Sequence, residues 1–283
     1  MYFHSRIFSL YLRELHNGLL MLINRFAASL ICLLGVTSAA YAQSDASPVP
    51  KVSDEWRFSV TPYLWAPGIN GTLYYNNTAL GSSNLSSSNI LNKLSAAGMI
   101  TGEAHKGDWG ALADFMYVQF NNSNSTTVGQ TDLGSNSTLK GSILTGALTY
   151  TVVKNPSVYL DGLIGARGLS LTASSNINVA FTRVNAGLTR NPSASTTTTD
   201  PIIGLKGRVR IADSSWFVPY YGDIGGGGGT TTTTWQAMAG VGKAFSWGDI
   251  ALVYRALYYD MHNGGLTQKT TMAGPALGVT FIF

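Results

Sequence analysis

The sequence predicts an all-β fold, a transmembrane antiparallel up-and-down β-barrel of about ten strands that follows a cleavable signal peptide. The prediction depends on composition, on hydrophobic periodicity and on the spacing of the connections. Only 11% of the residues are charged, against about 25% in a typical soluble domain. The 32 glycines and the tracts of Ser, Thr and Asn are typical of strands and turns rather than helices. A count of eight or twelve strands stays open.

A signal peptide is expected over residues 1–42. Its apolar core, Phe26–Val36, follows the basic-tipped segment Met21–Arg25 and leads to Ala40–Ala42, a small-x-small pattern that suits signal peptidase. The core has 11 residues, short of the roughly 20 that a membrane-spanning helix needs. We expect cleavage before Gln43, and we favour Met21 as the true start of translation. The resulting division is 1–42 as signal peptide, 43–55 as a short periplasmic segment and 56–283 as the barrel.

The charge of the mature chain argues against a nucleic-acid partner. Cleavage would remove Arg6, Arg13, Arg25 and Glu14, which leaves 15 basic and 13 acidic residues and a net charge of +2. A nucleic-acid-binding surface needs a much more basic patch than this. The single cysteine, Cys32, lies in the signal core, so the mature chain would hold no thiol.

Hydrophobic periodicity predicts ten strands. After residue 42 no apolar run approaches 18 residues, which excludes helical spans. A closed barrel is the other structure that pairs every backbone N–H and C=O inside hydrocarbon, and its strands alternate in hydrophobicity over about ten residues. The predicted strands are 56–66 (with an extension to 75 left open), 95–106, 109–121, 139–153, 157–171, 200–212, 215–225, 233–246, 249–260 and 271–283.

The connections alternate between short turns and long polar loops, as in outer-membrane barrels, whose short turns face the periplasm. Both chain ends would then lie in the periplasm. Four of the six tryptophans sit beside short turns and would line one membrane interface, namely Trp56, Trp109, Trp216 and Trp247. A soluble β-sandwich or lipocalin-like barrel, the alternative, would scatter them into its core. The longest predicted loops are 76–94, 122–138 and 173–199.

Alternation along the strands also predicts which residues face the lumen. In residues 56–64, for example, Phe58, Val60 and Leu64 share one face, and Arg57 and Tyr63 lie on the other. A cation on the lipid face at mid-membrane costs about 2–4 kcal/mol, so ionisable groups should face inward. The predicted lumen charge network is Arg57, Glu103, His105, Asp114, Asp161, Arg167, Lys206, Arg208, Arg210, Asp223 and Arg255.

Opposite charges in a narrow lumen should pair, and a barrel of ten strands lies nearer the filled interior of eight strands than the channel of sixteen. Four acids face six bases in this set. The sequence therefore predicts a charged, largely filled lumen with a structural role, or a narrow anion-preferring pore formed by the excess bases. A surface adhesin or receptor that acts through its Asn/Ser/Thr-rich loops is the alternative.

Several segments together carry a resemblance to a known family. They are Trp56–Trp65 (WRFSVTPYLW), Gly71–Leu73, Glu103–Gly110, Asp200–Arg208, Gly222–Gly226, Tyr254–Arg255 and Gly274–Phe283. The chain resembles a proteobacterial family of small, functionally uncharacterised outer-membrane β-barrel proteins. This resemblance implies a barrel in the outer membrane, with membrane lipid and lipopolysaccharide as partners. The terminal aromatic, Phe283, resembles the C-terminal signal that the outer-membrane assembly machinery recognises.

Catalytic patterns were sought because some outer-membrane barrels are enzymes. Asp260 and His262 have the spacing of the Asp-x-His pair of omptin proteases, but the matching Asp-x-Asp pair is absent. Neither His105 nor His262 has the His-x-Ser pattern of a lipid-hydrolysing barrel. The mature chain would hold two histidines and no cysteine, which argues against a transition-metal site. We therefore expect no enzymatic activity, no cofactor and no metal.

Overall fold

The computed structural model describes residues 47–128, 131–181 and 186–283, so the predicted signal peptide and its cleavage site before Gln43 lie outside the described residues. In chain order the elements are β1 (Arg57–Trp65), β2 (Gly68–Tyr75), β3 (Thr78–Leu85), α1 (Ser87–Lys93), β4 (Leu94–Lys106), β5 (Trp109–Val128), β6 (Thr131–Lys154), β7 (Val158–Phe181), β8 (Ala186–Arg190), β9 (Ser193–Arg210), β10 (Trp216–Gly225), β11 (Thr231–Phe245), β12 (Gly248–Asn263) and β13 (Leu266–Ile282).

Ten of these strands form a closed antiparallel barrel, as predicted. Neighbours follow the order β1, β4, β5, β6, β7, β9, β10, β11, β12 and β13, and β13 pairs with β1 to close the ring. Phe58 and Phe283 complete that seam through two backbone hydrogen bonds, of 3.2 and 2.9 Å. We call the end that carries the turns after β4, β6, β9 and β11 the short-turn end, and the opposite end the long-hairpin end. Both Phe283 and the segment that precedes β1 lie at the short-turn end.

The first barrel strand continues beyond a break at Ala66 and Pro67. β1 pairs with the second half of β13, and β2 pairs with its first half, Leu266–Ala273. A tight turn with positive φ at Asn76 and Asn77 then leads into β3, which pairs with β2. The predicted extension of this strand to residue 75 is therefore confirmed. The predicted loop 76–94 is instead a strand followed by α1.

The helix α1 is short, and Ser86 caps it by accepting a hydrogen bond from the backbone N–H of Asn89. Within the described ranges no helix is long and apolar enough to cross a bilayer.

The prediction of long loops at 122–138 and 173–199 was wrong over most of their length. β6 and β7 each have 24 residues and remain paired from Lys154 and Tyr159 to Thr131 and Phe181. A strand needs only about 9–11 residues to cross a membrane. Beyond the bilayer no lipid selects one apolar face, so these Ser- and Thr-rich strands lack the alternation by which the membrane segments were identified. They project beyond the membrane as paired strands.

Exposed and buried residues alternate along the strands of the barrel. The outward residues Ile203, Leu252 and Ile164 are about three-fifths exposed, which on a barrel is the apolar band that contacts lipid. Inward residues such as Arg255 and Leu257 are buried. The four predicted tryptophans are all exposed at strand ends beside short turns. They form the aromatic girdle expected at a membrane interface.

Candidate functional site

The lumen holds ionisable side chains at several levels, and the central level is an ion pair that spans the barrel. Arg255 on β12 donates to Asp114 on β5, with Nη2 and Oδ2 2.8 Å apart. Tyr63 and Thr101 donate to the other carboxylate oxygen of Asp114 at 2.7 and 2.8 Å. Arg255 also donates to Tyr63 and Gln236, each at 2.8 Å. Such dense hydrogen bonding is what a charge pair needs to remain buried, and it places the Asp114 side chain among inward-facing residues of β1, β4, β11 and β12.

A second ion pair lies closer to the long-hairpin end and is completely buried. Arg167 on β7 donates to Asp223 on β10, and both side chains are 0% exposed. Tyr221 donates its hydroxyl to the same carboxylate at 2.5 Å. The other two guanidinium nitrogens of Arg167 donate to the hydroxyls of Thr145 and Thr234, each at 3.3 Å. The contacts of this pair therefore link four strands, β6, β7, β10 and β11.

A third set of ion pairs lies at the short-turn end. Lys206 pairs with Glu103, whose carboxylate also lies 3.1 Å from Nε2 of His105. Arg208 donates to Asp249 at 2.8 Å and to the backbone carbonyl of Pro48 at 3.1 Å. These contacts bring Glu103, His105, Lys206 and Arg208 together at the short-turn end of the barrel.

The segment before β1 contacts the barrel at its short-turn end. Pro48 and Val49 are buried, and Pro48 contacts Arg208 through its carbonyl. Ser53 accepts a hydrogen bond from the backbone N–H of Gly107, in the turn after β4, at 2.8 Å. The described part of the segment 43–55, which we predicted to be a short periplasmic segment, therefore lies in the mouth of the barrel at the short-turn end. Its periplasmic location stays a prediction.

Sequence reasoning missed two buried acids, Asp200 and Asp249. Each lies one residue before the window in which alternation was tested, on the inward-facing register of β9 or β12. With them the lumen has six acids, and these equal the six predicted bases in number. The six acids are Glu103, Asp114, Asp161, Asp200, Asp223 and Asp249. Among the described residues the predicted bases therefore do not outnumber the lumen acids, and an excess of bases was the premise of the anion-preferring pore.

Three predicted network residues form no ion pair with any other described residue. Arg210 is on the inward register of β9, but its Nε donates to the backbone carbonyl of Ser214 at 2.9 Å. Both carboxylate oxygens of Asp161 are buried without a hydrogen-bond partner among the described residues. The same is true of Nε and Nη2 of Arg57. Arg57 and Asp161 therefore lie on the inward register of β1 and β7 without forming an ion pair with each other.

Apolar side chains are buried in the lumen beside the two inner ion pairs. The search of the sequence for charged residues did not anticipate this apolar cluster. Leu257 and Tyr259 follow Arg255 on the inward face of β12 and are 0% and 1% exposed. The cluster comprises Trp65, Met116, Ile143, Leu169, Val253, Leu257, Tyr259 and Ala276. These residues come from six strands, β1, β5, β6, β7, β12 and β13. Together with the two inner ion pairs they are buried inside the barrel.

A cavity of about 430 Å³ remains at the short-turn end. Its polar wall includes Arg57, Glu103 and Arg208. Leu112 and Phe217 contribute to an apolar wall. At its inner limit the cavity reaches Tyr221, Gln236 and Arg255. The volume lies within the range of about 300–1,000 Å³ that is usual for small-molecule sites.

Asp260 and His262 lie at the end of β12, near the long-hairpin end. His262 is 3.9 Å from Asp260, Lys269 is 3.7 Å from it, and the other ring nitrogen of His262 lies 2.7 Å from the hydroxyl of Thr267. The His262 side chain is more than half exposed. In the part of the chain that the structure describes, no three His, Cys, Asp or Glu residues are grouped so that they could hold a metal ion.

No family model and no curated protein sequence matches the chain. Among solved structures, it is similar to the outer membrane protease OmpT from Escherichia coli, with a TM-score of 0.53 at 8% identity over 84% of this chain and 100% of that one. The translocator domain of the autotransporter NalP from Neisseria meningitidis gives a TM-score of 0.39 at 16% identity, over 80% and 88%. Ail, the attachment invasion locus protein of Yersinia pestis, gives 0.34 at 13%, over 80% and 99%. The likeness to OmpT shows that this chain has the fold of an outer-membrane β-barrel.

Proposed function

We propose that this chain is an integral outer-membrane barrel that is closed to solutes at rest and has a structural rather than a catalytic role. The observation that carries the proposal is the filled lumen, in which the buried Arg167 and Asp223 lie beside the apolar cluster around Leu257. A passive pore needs a continuous polar path, and buried ion pairs surrounded by apolar side chains do not provide one.

The outer face of the barrel supports the proposed location. Exposed apolar residues surround it, and aromatic side chains such as Trp109 and Tyr150 pack against each other at the short-turn end, with ring centroids 5.0 Å apart. With the orientation usual for outer-membrane barrels, the short-turn end faces the periplasm. Its partners would be membrane lipid, lipopolysaccharide and the assembly machinery, after export by the predicted signal peptide.

Planar-bilayer recordings test the closed lumen. The purified barrel should show no sustained conductance, whereas Trp65→Ala combined with Leu257→Ala should produce steps, because the double substitution empties part of the apolar cluster. The matched control is Leu64→Ala with Leu252→Ala, two residues on the same two strands, β1 and β12, that are each 59% exposed on the outer face. This control should stay closed. Steady conductance in most insertions of the unaltered protein would contradict the proposal.

A second role, recognition at the cell surface, is supported by the projecting strands. β5, β6 and β7 stay paired up to Val128, Thr131 and Phe181, and their outer parts are rich in Asn, Ser and Thr. Hydroxyl and amide groups on ordered strands suit hydrogen bonding to sugars.

Deleting residues 122–137 shortens the hairpin between β5 and β6 and leaves the membrane-spanning parts of both strands. Cells that carry the shortened barrel should lose binding to immobilised glycans if the hairpin recognises sugars. The control is the amount of heat-modifiable barrel in the outer membrane, which should not change. If cells with the shortened barrel and cells with the full barrel bound the glycans equally, the proposed recognition role would be contradicted.

A further inference from the structure

A run of five glycines, residues 225–229, connects β10 to β11 at the long-hairpin end. β10 ends at Gly225, which pairs with Ile202 of β9, whereas β9 extends beyond that level to Ser193. β11 also extends beyond it, because Gly225 pairs with Thr234 and β11 begins at Thr231. The barrel wall therefore has a gap between β9 and β11 where β10 has ended.

The connection 226–230 turns into the lumen at this gap. Gly228 donates its backbone N–H to the carboxylate of Asp200 at 3.1 Å, and its carbonyl accepts a hydrogen bond from the hydroxyl of Thr198. Thr198 and Asp200 are buried and lie on the inward register of β9. Thr231 donates to the hydroxyl of Thr198 at 3.0 Å. These contacts bridge the gap from β11 to β9 on its inner side.

Backbone hydrogen bonds hold the connection on both sides. Gly226 donates to the carbonyl of Pro201 at 3.2 Å, and Gly227 donates to the carbonyl of Thr231 at 2.9 Å. The carbonyl of Thr230 accepts from the backbone N–H of His262, on β12, at 2.7 Å. A glycine-rich segment without such partners behaves as a flexible coil. The bonds to β9, β11 and β12 therefore give this connection one preferred position.

The close approach of the connection to β9 requires glycine at position 228. A Cβ added there would overlap the backbone carbonyl oxygen of Thr199 and would lie 2.9 Å from Oδ1 of Asp200. Gly228 does not have a positive φ, so the requirement is for space rather than for backbone conformation. Glycine permits a backbone to pack this closely against another because it has no Cβ.

Buried polar residues lie behind the connection. Asp200 is the cross-strand neighbour of Arg167, whose side chain is 0% exposed. Thr234 is also 0% exposed, and its hydroxyl accepts a hydrogen bond from Arg167 at 3.3 Å. We call Arg167, Asp200 and Thr234 the buried compartment. Water that entered at the gap would compete for the hydrogen bonds of these residues.

We propose that the connection 226–230 is a lid, fastened by Thr198 and Asp200, that closes the gap between β9 and β11 and excludes water from the buried compartment. Release of the lid opens the lumen at the long-hairpin end. The inference rests on the closed lumen proposed above and assigns the control of that closure to one loop. In the orientation proposed above, the lid faces the outside of the cell.

Cysteine accessibility in the folded barrel tests the lid. The reporter is Thr234→Cys in a chain with Cys32→Ser, and the probe is a charged, membrane-impermeant methanethiosulfonate reagent. With the lid intact the reporter should react slowly. Thr198→Val keeps the volume of the side chain and removes the hydroxyl that fastens the lid. It should speed labelling about tenfold or more, because the labelling rate follows the population of the open lid.

Gly228→Ala tests the same lid by a different route. The added methyl group cannot fit against the carbonyl of Thr199, so it should force the connection out of the lumen and should also speed labelling about tenfold or more. Because the two substitutions act through different contacts, a folding defect in one of them leaves the other as the test. Heat-modifiable mobility should show which variants are folded barrels.

Thr197→Val and Gly222→Ala are the matched controls. Thr197 is the exposed neighbour of Thr198 on β9, and a Cβ on Gly222 would meet only the carbonyl oxygen of Gln236, at 4.0 Å. Both should leave the labelling rate unchanged. If Thr198→Val and Gly228→Ala fold and label as slowly as the reporter alone, the lid is overturned and the closed lumen stands. Fast labelling of the reporter alone would contradict the closed lumen and the lid with it.

Discussion

Replacing Asp223 with alanine should lower the free energy of unfolding by about 3–5 kcal/mol. The substitution leaves the guanidinium group of Arg167 charged and without its carboxylate, in a place where its side chain is 0% exposed. Tyr221 also loses the acceptor of its 2.5 Å hydrogen bond. Urea titration of the barrel folded in lipid vesicles, followed by tryptophan fluorescence, measures the change.

The chain offers a matched control in the ion pair between Lys154 and Asp108, whose side chains are 53% and 31% exposed. Asp108→Ala should change stability by no more than about 1 kcal/mol, because solvent screens an exposed pair. Combining Arg167→Met with Asp223→Leu should recover most of the lost stability, since it removes both charges and keeps the volume. If Asp108→Ala and Asp223→Ala lowered the free energy of unfolding equally, the buried ion pair would contribute no more to stability than the exposed one.

Deleting Phe283 should strongly reduce insertion into the outer membrane in cells and should reduce the stability of the refolded barrel far less. The deletion removes both backbone hydrogen bonds that Phe283 makes with Phe58 at the closing seam. It also removes an aromatic side chain that is 75% exposed on the outside. Burial of that side chain in lipid would contribute only about 1.5–3 kcal/mol. Heat-modifiable mobility of protein made in cells, compared with protein refolded in detergent, gives the measurement.

Phe283→Ala separates the two roles of the terminal residue. It keeps the backbone bonds to Phe58 and removes the aromatic ring, so it should assemble poorly if the ring is the assembly signal and normally if the seam is what matters. Phe283→Tyr keeps both features and should assemble like the unaltered chain. If the deletion variant assembles in cells as well as the full chain does, Phe283 is an ordinary strand residue.

Alternation was a sufficient guide wherever lipid lies on one side of a strand and the lumen on the other. In β9, for example, Ile203 and Lys206 point to opposite faces as predicted. Alternation would also have identified Asp200 and Asp249 as inward-facing residues if the tested stretches of β9 and β12 had begun one residue earlier. It could not have found the projecting parts of β6 and β7, because no lipid imposes a period on their side chains.

Which lumen charges pair with each other could not be predicted from the sequence, for a different reason. Arg255 and Asp114 are separated by 141 positions and by several strands in the sheet. They meet only because the sheet closes and brings β12 opposite β5 across a narrow interior. Strand number, tilt and stagger together set which residues share a level of a barrel. Periodicity gives the face of each residue but none of these quantities.

β6 and β7 are so long that one part of the strand pair crosses the membrane and the other part projects beyond it. The two parts meet different constraints on their sequences. Of their 24 residues each, about 9–11 cross the bilayer, so the remainder extends about 43–50 Å farther along the strand direction at about 3.3 Å per residue. Nearer the membrane, every substitution must satisfy lipid outside and close packing inside. In the outer part a new side chain has only to permit strand pairing. The sequence of the projecting part of β6 and β7 can therefore vary at the cell surface without disturbing the part of the same strands that spans the membrane.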